Sequence, residues 1–213
     1  MGADFVWRMA DVLDLYAKPY DPERPVVCFD EQPRQLIAEV RTPVPAAPGR
    51  PQRIDYEYRR QGTANLFLTF EPLAGWRHVE VTERRTSAEF AHQMRALADV
   101  HYPDAERIAV VLDNLSTHSP AALYQAFPPE EARRLLKRLE FHHTPKHGSW
   151  LNMAELEFSV LNRQCLDRRI PDPEPLRQEI AAWEAERNAA RATVHWRFTV
   201  TDARIKLHRL YPA

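Results

Sequence analysis

The sequence predicts a mixed α/β domain built on five strands. Three observations carry this reading. Apolar runs of strand length (VVCF, ANLFLTF, RIAVVL) recur along the chain. Between them lie stretches whose apolar residues fall at helical spacing. Proline and glycine mark most of the places where one kind of segment gives way to the other. The order is strand, hairpin, helix, strand, paired helices, strand, helix, which puts apolar strands between helices.

Residues 5–17, FVWRMADVLDLYA, space Val6, Met9, Leu13 and Tyr16 as a helix does, and KPYDPERP ends it. PVVCFDE, 25–31, is a buried strand that finishes on a carboxylate. TPVPAAPGRPQR, 42–53, is a proline-rich loop that becomes basic, with Arg50, Arg53, Arg59 and Arg60 close together. Strands over 64–71 and 76–82, joined by PLAG, make an antiparallel hairpin. Residues 86–101 carry apolar positions at Phe90, Met94, Leu97 and Val100 and read as a helix, with Thr86 or Ser87 as N-cap. RIAVVLDN, 107–114, is the clearest strand and again ends on a carboxylate. SPAALYQAF and PPEEARRLLKRL are two helices; the second opens on prolines and acids, and Arg133, Arg134, Lys137 and Arg138 form its wet face. LEFHHT is a short strand, Ser149 caps a helix from about 150 to 167, and a further helix covers 173–191.

The bulk numbers restrict function more than they suggest it. A chain of 213 residues with 44% hydrophobic residues can bury a sizeable core. Its 29 basic and 30 acidic residues leave a formal net charge of −1, so any grip on an anionic polymer must come from local patches. No apolar run is long enough for a membrane span, and MGADFV has neither a secretory nor a myristoylation pattern. Cys28 and Cys165 both lie at apolar positions and read as buried reduced thiols, which points to the cytoplasm.

Two buried strands that end in aspartate are the first chemical signal. Were the strands neighbours, Asp30 and Asp113 would face one another at the carboxyl edge of the sheet, where function collects in open α/β folds. Carboxylates that close repel unless a cation lies between them. Oxygen-only ligation favours Mg2+ or Mn2+, and a third carboxylate from the helix after the last strand would complete a two-metal site. Glu155 and Glu157 flank the apolar face Leu151, Ala154, Phe158, Leu161 and Cys165 on opposite sides, so periodicity leaves the choice between them open. Glu31 points to the other face of its strand and stays outside the metal set. Zinc is not expected: no CxxC occurs, and Pro145 and Gly148 place His143 and His147 in a loop.

CFDE, VLDNLSTH and TPKHGSWLNMAELE, taken in this order, resemble the catalytic signature of DDE transposases of the mariner-like superfamily and its bacterial insertion-sequence branch. The likeness runs from about residue 25 to 211, including DYEYRRQGTANLF, AGWR and WRFTVTDARIKLHRLYP. It implies an RNase H-like mixed five-stranded sheet flanked by helices. It also implies a catalytic, metal-binding set of Asp30, Asp113 and Glu155, the last selected over Glu157 by the LNMAE match. Two Mg2+ or Mn2+ ions, cleavage at transposon ends and strand transfer into target DNA follow from the resemblance, as do TA target sites, a homodimer on DNA and a bacterial cytoplasm with the nucleoid as workplace. His143, Lys146 and His147 would hold the DNA backbone from a loop before a helix N-terminus. Trp150, Asn152, Asn114, His118, Arg59 and Arg60 complete the expected DNA-binding set, although Trp150 reads as readily as packing and Asn152 as a helix cap.

The chain departs from the family in two ways. The stretch between Asp113 and Glu155 is longer than usual, with the paired helices between 119 and 138 taking up the excess. No helix-turn-helix recognition domain precedes Asp30. The expected division is therefore an N-terminal helix and linker over 1–24, a catalytic domain over 25–170 and a helical extension over 171–213. The competing expectations are a nuclease of the same fold without strand transfer, and a transposase relic that only binds DNA or oligomerises.

Overall fold

The structure, a computed structural model, describes residues 2–211. The chain runs α1 (Ala3–Tyr16), β1 (Val26–Glu39), β2 (Tyr58–Glu71), β3 (Trp76–Thr82), α2 (Ser87–Ala96), β4 (Ile108–Leu112), α3 (Pro120–Ala126), α4 (Pro129–Leu136), β5 (Leu139–His143), α5 (Met153–Gln164), α6 (Pro173–Ala189) and α7 (Val200–Lys206). The five strands form one mixed sheet in the order β3-β2-β1-β4-β5. β2 is antiparallel to both β1 and β3, whereas β4 is parallel to β1 and β5 to β4.

Alternation along the strands separates two cores. Cys28, Leu66, Leu68, Phe70 and Val111 face one side, where α1, α5 and α6 cover them; Val27, Phe29, Phe67, Val110 and Leu112 face the other, under α2, α3 and α4. Met9 and Val12 of α1 are fully buried in the first core, each worth roughly 1.5–3 kcal/mol of apolar burial. A capping box at Thr86 and Glu89 starts α2 as its sequence predicts, and the helix passes into a π-helical turn over Leu97–His101.

Two local expectations need correction. β1 does not stop at Glu31 but continues through Pro33 to Glu39 against β2. Its pairing with β4 reaches only Cys28, so beyond that point β1 has an open side, where a proline is tolerated. Asp30 therefore lies within a long strand rather than at its end. Likewise Ser149 does not cap the next helix; it opens a short 3-10 turn, and Asn152 caps α5 by accepting from the Ala154 N–H.

α5 and α6 are fastened to the sheet by a buried charge cluster. Arg77 on β3, fully buried, donates from Nε to Glu157 Oε1 at 3.0 Å, and its other nitrogens reach the carbonyls of Gly75 and Ala192. Arg187 of α6 adds a second guanidinium to the same carboxylate. Removing one partner leaves an unpaired buried charge, so Glu157→Ala is expected to cost about 3–5 kcal/mol. Glu155→Ala, at an exposed position of the same helix, should stay within about 0.5 kcal/mol of the parent. Urea unfolding of the two variants measures the contrast, and equal losses would refute it.

Candidate active site

The β1–β4 ladder pairs Val26 with Ala109, Val27 with Val110 and Cys28 with Val111. Continued at the same offset, it sets Asp30 beside Asp113, which directly follows the last residue of β4. The third acid arrives by a different route. The Asn152 side chain, buried, donates from Nδ2 to the Phe29 carbonyl at 2.9 Å while its Oδ1 caps α5. One residue thus bolts the start of α5 to β1 next to Asp30, and Glu155 occupies the first turn of that helix. Glu157 is committed to Arg77 and Arg187 on the other side. Of the two glutamates that periodicity does not separate, Glu157 is thus taken by ion pairs, while Glu155 is exposed and its charge acts on Asp30.

The electrostatics follow from this crowding. Asp30 is 7% exposed. Burial pushes its carboxyl up to about 7 against the pull of the Glu31 N–H on Oδ1, and the charges of Glu155, Asp113 and Glu31 push the same way. Asp113 differs. Burial raises it, but the hydrogen bond from His118 and the Leu115 N–H outweigh that and bring its carboxyl below the usual range. One acid is thus poised to hold a proton near neutrality while its neighbour stays ionised.

The remaining expected site residues divide into two groups. Lys146 and His147 are exposed on the turn after β5, where His147 adopts a left-handed φ of 65°. His143 is half-buried and donates from Nε2 to the His118 carbonyl. Asn114 is exposed and ties its side-chain amide to the Thr144 carbonyl, so the loops after β4 and β5 lie side by side. Trp150 is 43% exposed and stacks on Trp196, with ring centroids 6.2 Å apart. Two residues expected on DNA are instead internal. Asn152 is the cap just described, and His118 is buried with both ring nitrogens taken by Asp113 and Glu31. Neither is placed to touch a phosphate. Arg59 and Arg60 are exposed, but they pair with Ala38 and Ile37, on the order of 20 Å along β1 from Asp30 at about 3.3 Å per residue. Glu31, set aside in the sequence reading, proves to be the partner of His118 on the α2 side of the sheet.

An all-oxygen donor set of three carboxylates suits a hard divalent ion. Among the described residues no three His, Cys, Asp or Glu side chains are grouped so that they could hold a metal ion. Burial first, and then the charges of Glu155, Asp113 and Glu31, raise the Asp30 carboxyl, and a cation would relieve the second effect.

A sequence model of the DDE superfamily endonucleases matches residues 25–177, well over half of the chain. The chain belongs to this family. Its fold is similar to that of the Mos1 transposase paired-end complex with left transposon end, at 15% identity and a TM-score of 0.58 over 90% of this chain and 59% of that one. It is also similar to the Mos1 mariner paired end complex with Mn (16%, TM-score 0.56, 89% and 58%) and to the catalytic domain of Mos1 mariner transposase (13%, TM-score 0.55, 90% and 94%). The chain thus spans about three fifths of the Mos1 chains in the paired-end complexes and nearly all of the isolated catalytic domain. The likeness establishes the expected RNase H-like fold for this member of the DDE superfamily. No curated protein matches the chain in sequence.

The raised Asp30 carboxyl makes a stability prediction. An unfolded aspartate titrates near 3.9, so the stability this group contributes is complete below about pH 4 and is lost as the pH rises through about 7. At pH 8 in chelator, Asp30→Asn is therefore expected to stabilise the protein by about 1–2 kcal/mol. Mn2+ should raise the melting temperature of the parent more at pH 8 than at pH 6, because proton and metal compete for Asp30, and should raise that of the variant less. Scanning fluorimetry measures both; a variant no more stable than the parent at pH 8 would contradict the repulsion.

Proposed function

We propose that this chain is the catalytic part of a transposase of the mariner-like superfamily, bacterial insertion-sequence branch. It would cut DNA at transposon ends and join the freed 3′-hydroxyl to target DNA. The observation that supports this reading is that β1, the end of β4 and the start of α5 bring Asp30, Asp113 and Glu155 into one region, where the charges of Asp113 and Glu155 both act on the Asp30 carboxyl. These three carboxylates would hold two Mg2+ or Mn2+ ions. When bound, such a pair neutralises charge at the attacking and leaving oxygens of an in-line phosphoryl transfer. Support for divalent metal comes from solved Mos1 paired end complexes with Mn and with Mg.

The chain's own residues supply binding and orientation. Lys146 and His147, on the exposed turn beside the acids, would take the DNA backbone through charge and hydrogen bonds, with His143 and Asn114 beneath them. Trp150, backed by Trp196, offers a face for an unpaired base. Arg59 and Arg60 would touch DNA away from the scissile phosphate. A homodimer on DNA, TA target sites and action in the cytoplasm belong to the same reading by family analogy. No described helix is long and apolar enough to cross a membrane.

The family description, an endonuclease, also favours a second reading: hydrolysis without joining. One experiment distinguishes the two. The chain is incubated with Mn2+, a pre-cut oligonucleotide bearing a 3′-hydroxyl, and supercoiled plasmid. Joined product is expected for the transferase, and fragments alone would convert the assignment to a nuclease. Asp113→Asn and Glu155→Gln should each lower the rate by at least a hundredfold without unfolding the chain; retained cleavage in either variant would remove it from the catalytic set.

A further inference from the structure

His118 is an unusual residue to find where it is. It is 2% exposed, on the α2 side of the sheet, with its ring against Phe29 and Phe90 at centroid distances of 5.5 and 5.0 Å. Nδ1 lies 2.7 Å from Asp113 Oδ1, and Nε2 meets Glu31 Oε2. Glu31 follows Asp30 in β1 and therefore projects from the opposite face. Its side chain is 2% exposed, and no cation other than the His118 ring approaches it among the described residues. A buried carboxylate kept for one buried histidine is a costly arrangement unless the histidine has work to do.

That work is visible at Asp113. The residue lies past the end of β4, where no ladder fixes it. Both hydrogen bonds it receives, from His118 and from the Leu115 N–H at 3.1 Å, fall on Oδ1. Oδ2 receives none among the described residues. The turn carrying His118 is itself closed, since the His118 N–H donates to the Leu115 carbonyl and the His118 carbonyl accepts from His143.

We propose that Glu31 and His118 are positioning residues: Glu31 orients the imidazole, the imidazole holds Oδ1 of Asp113, and Oδ2 is thereby left in a fixed place for a divalent cation. Neither residue touches DNA or metal. The inference rests on the metal-binding role of Asp113 given under Proposed function. It extends to a metal-binding carboxylate the general pattern in which a partner behind the ligand sets its orientation and tunes affinity.

The test is Mn2+ binding by calorimetry on the intact chain, with circular dichroism as the check on folding. His118→Gln removes the Nδ1 donor and is expected to weaken Mn2+ binding about 10- to 100-fold. His118→Asn carries an amide near the Nδ1 position and should recover most of that loss, a rescue that mere filling of space does not predict. Glu31→Gln keeps shape and volume while removing the charge that orients the ring, and should weaken Mn2+ binding several-fold even if no variant at 118 folds. Parent-like affinity in Glu31→Gln, or in a folded His118→Gln, overturns the proposal and leaves the metal role of Asp113 standing. Mn2+ binding that Asp113→Asn does not alter overturns both.

Discussion

The register between β1 and β4 is the constraint on which the site depends. Both strands carry apolar side chains on both faces, with Cys28 and Val111 in one core and Val27, Phe29, Val110 and Leu112 in the other. A slip of one residue would turn each set to the wrong face, so the register is held by the burial of two cores. Once held, it brings the end of β4, and the Asp113 that follows it, alongside the part of β1 that carries Asp30. The raised carboxyl of Asp30 follows first from its own burial and then from the neighbouring acids, a cost that the packing of the two cores outweighs. A fold selected for stability alone would place something neutral there.

α5 shows how a third charge can be brought in without freedom to retreat. Its start is tied to the Phe29 carbonyl by Asn152, its second turn to Arg77 by Glu157, and its last turn to Gln32 by Asn162. Glu155 and Glu157, two residues apart, lie on nearly opposite sides of a helix that turns about 100° per residue. One therefore becomes an anchor and the other is presented. The anchor is more than a local contact, because Arg187 and Asn188 of α6 converge on the same cluster and carry the C-terminal part of the chain onto the β3 edge.

Much of this was legible in the sequence, and what was not has physical reasons. All five strands and the helices between them follow from apolar periodicity, since each segment buries one or two faces. The length of β1 was hidden because QPRQ looks like a break; partner strand β2 extends it, and a partner cannot be seen from one segment. The N-cap went to Asn152 and not Ser149 because the Asn side chain also satisfies a carbonyl on another strand. His118 and Glu31 show the limit most clearly. Their types suggest a DNA-facing histidine and a bystander acid, and only the pairing of β1 with β4 brings them together on one face of the sheet. The three acids were legible as a motif; their crowding needed the register.

The same crowding orders events on the proposed reading. A DNA phosphate approaching three carboxylates meets like charge, and Lys146 is exposed on the turn after β5 and not among the acids. The chain has no net positive charge to offset this, with 29 basic against 30 acidic residues. Phosphate can settle over the acids only when a divalent cation lies between. Cation and DNA therefore favour each other's binding, by a coupling that must be equal in both directions. Until both are present, Asp30 near neutrality exchanges charge for a proton, and the site remains a repulsive notch in an otherwise well-packed sheet.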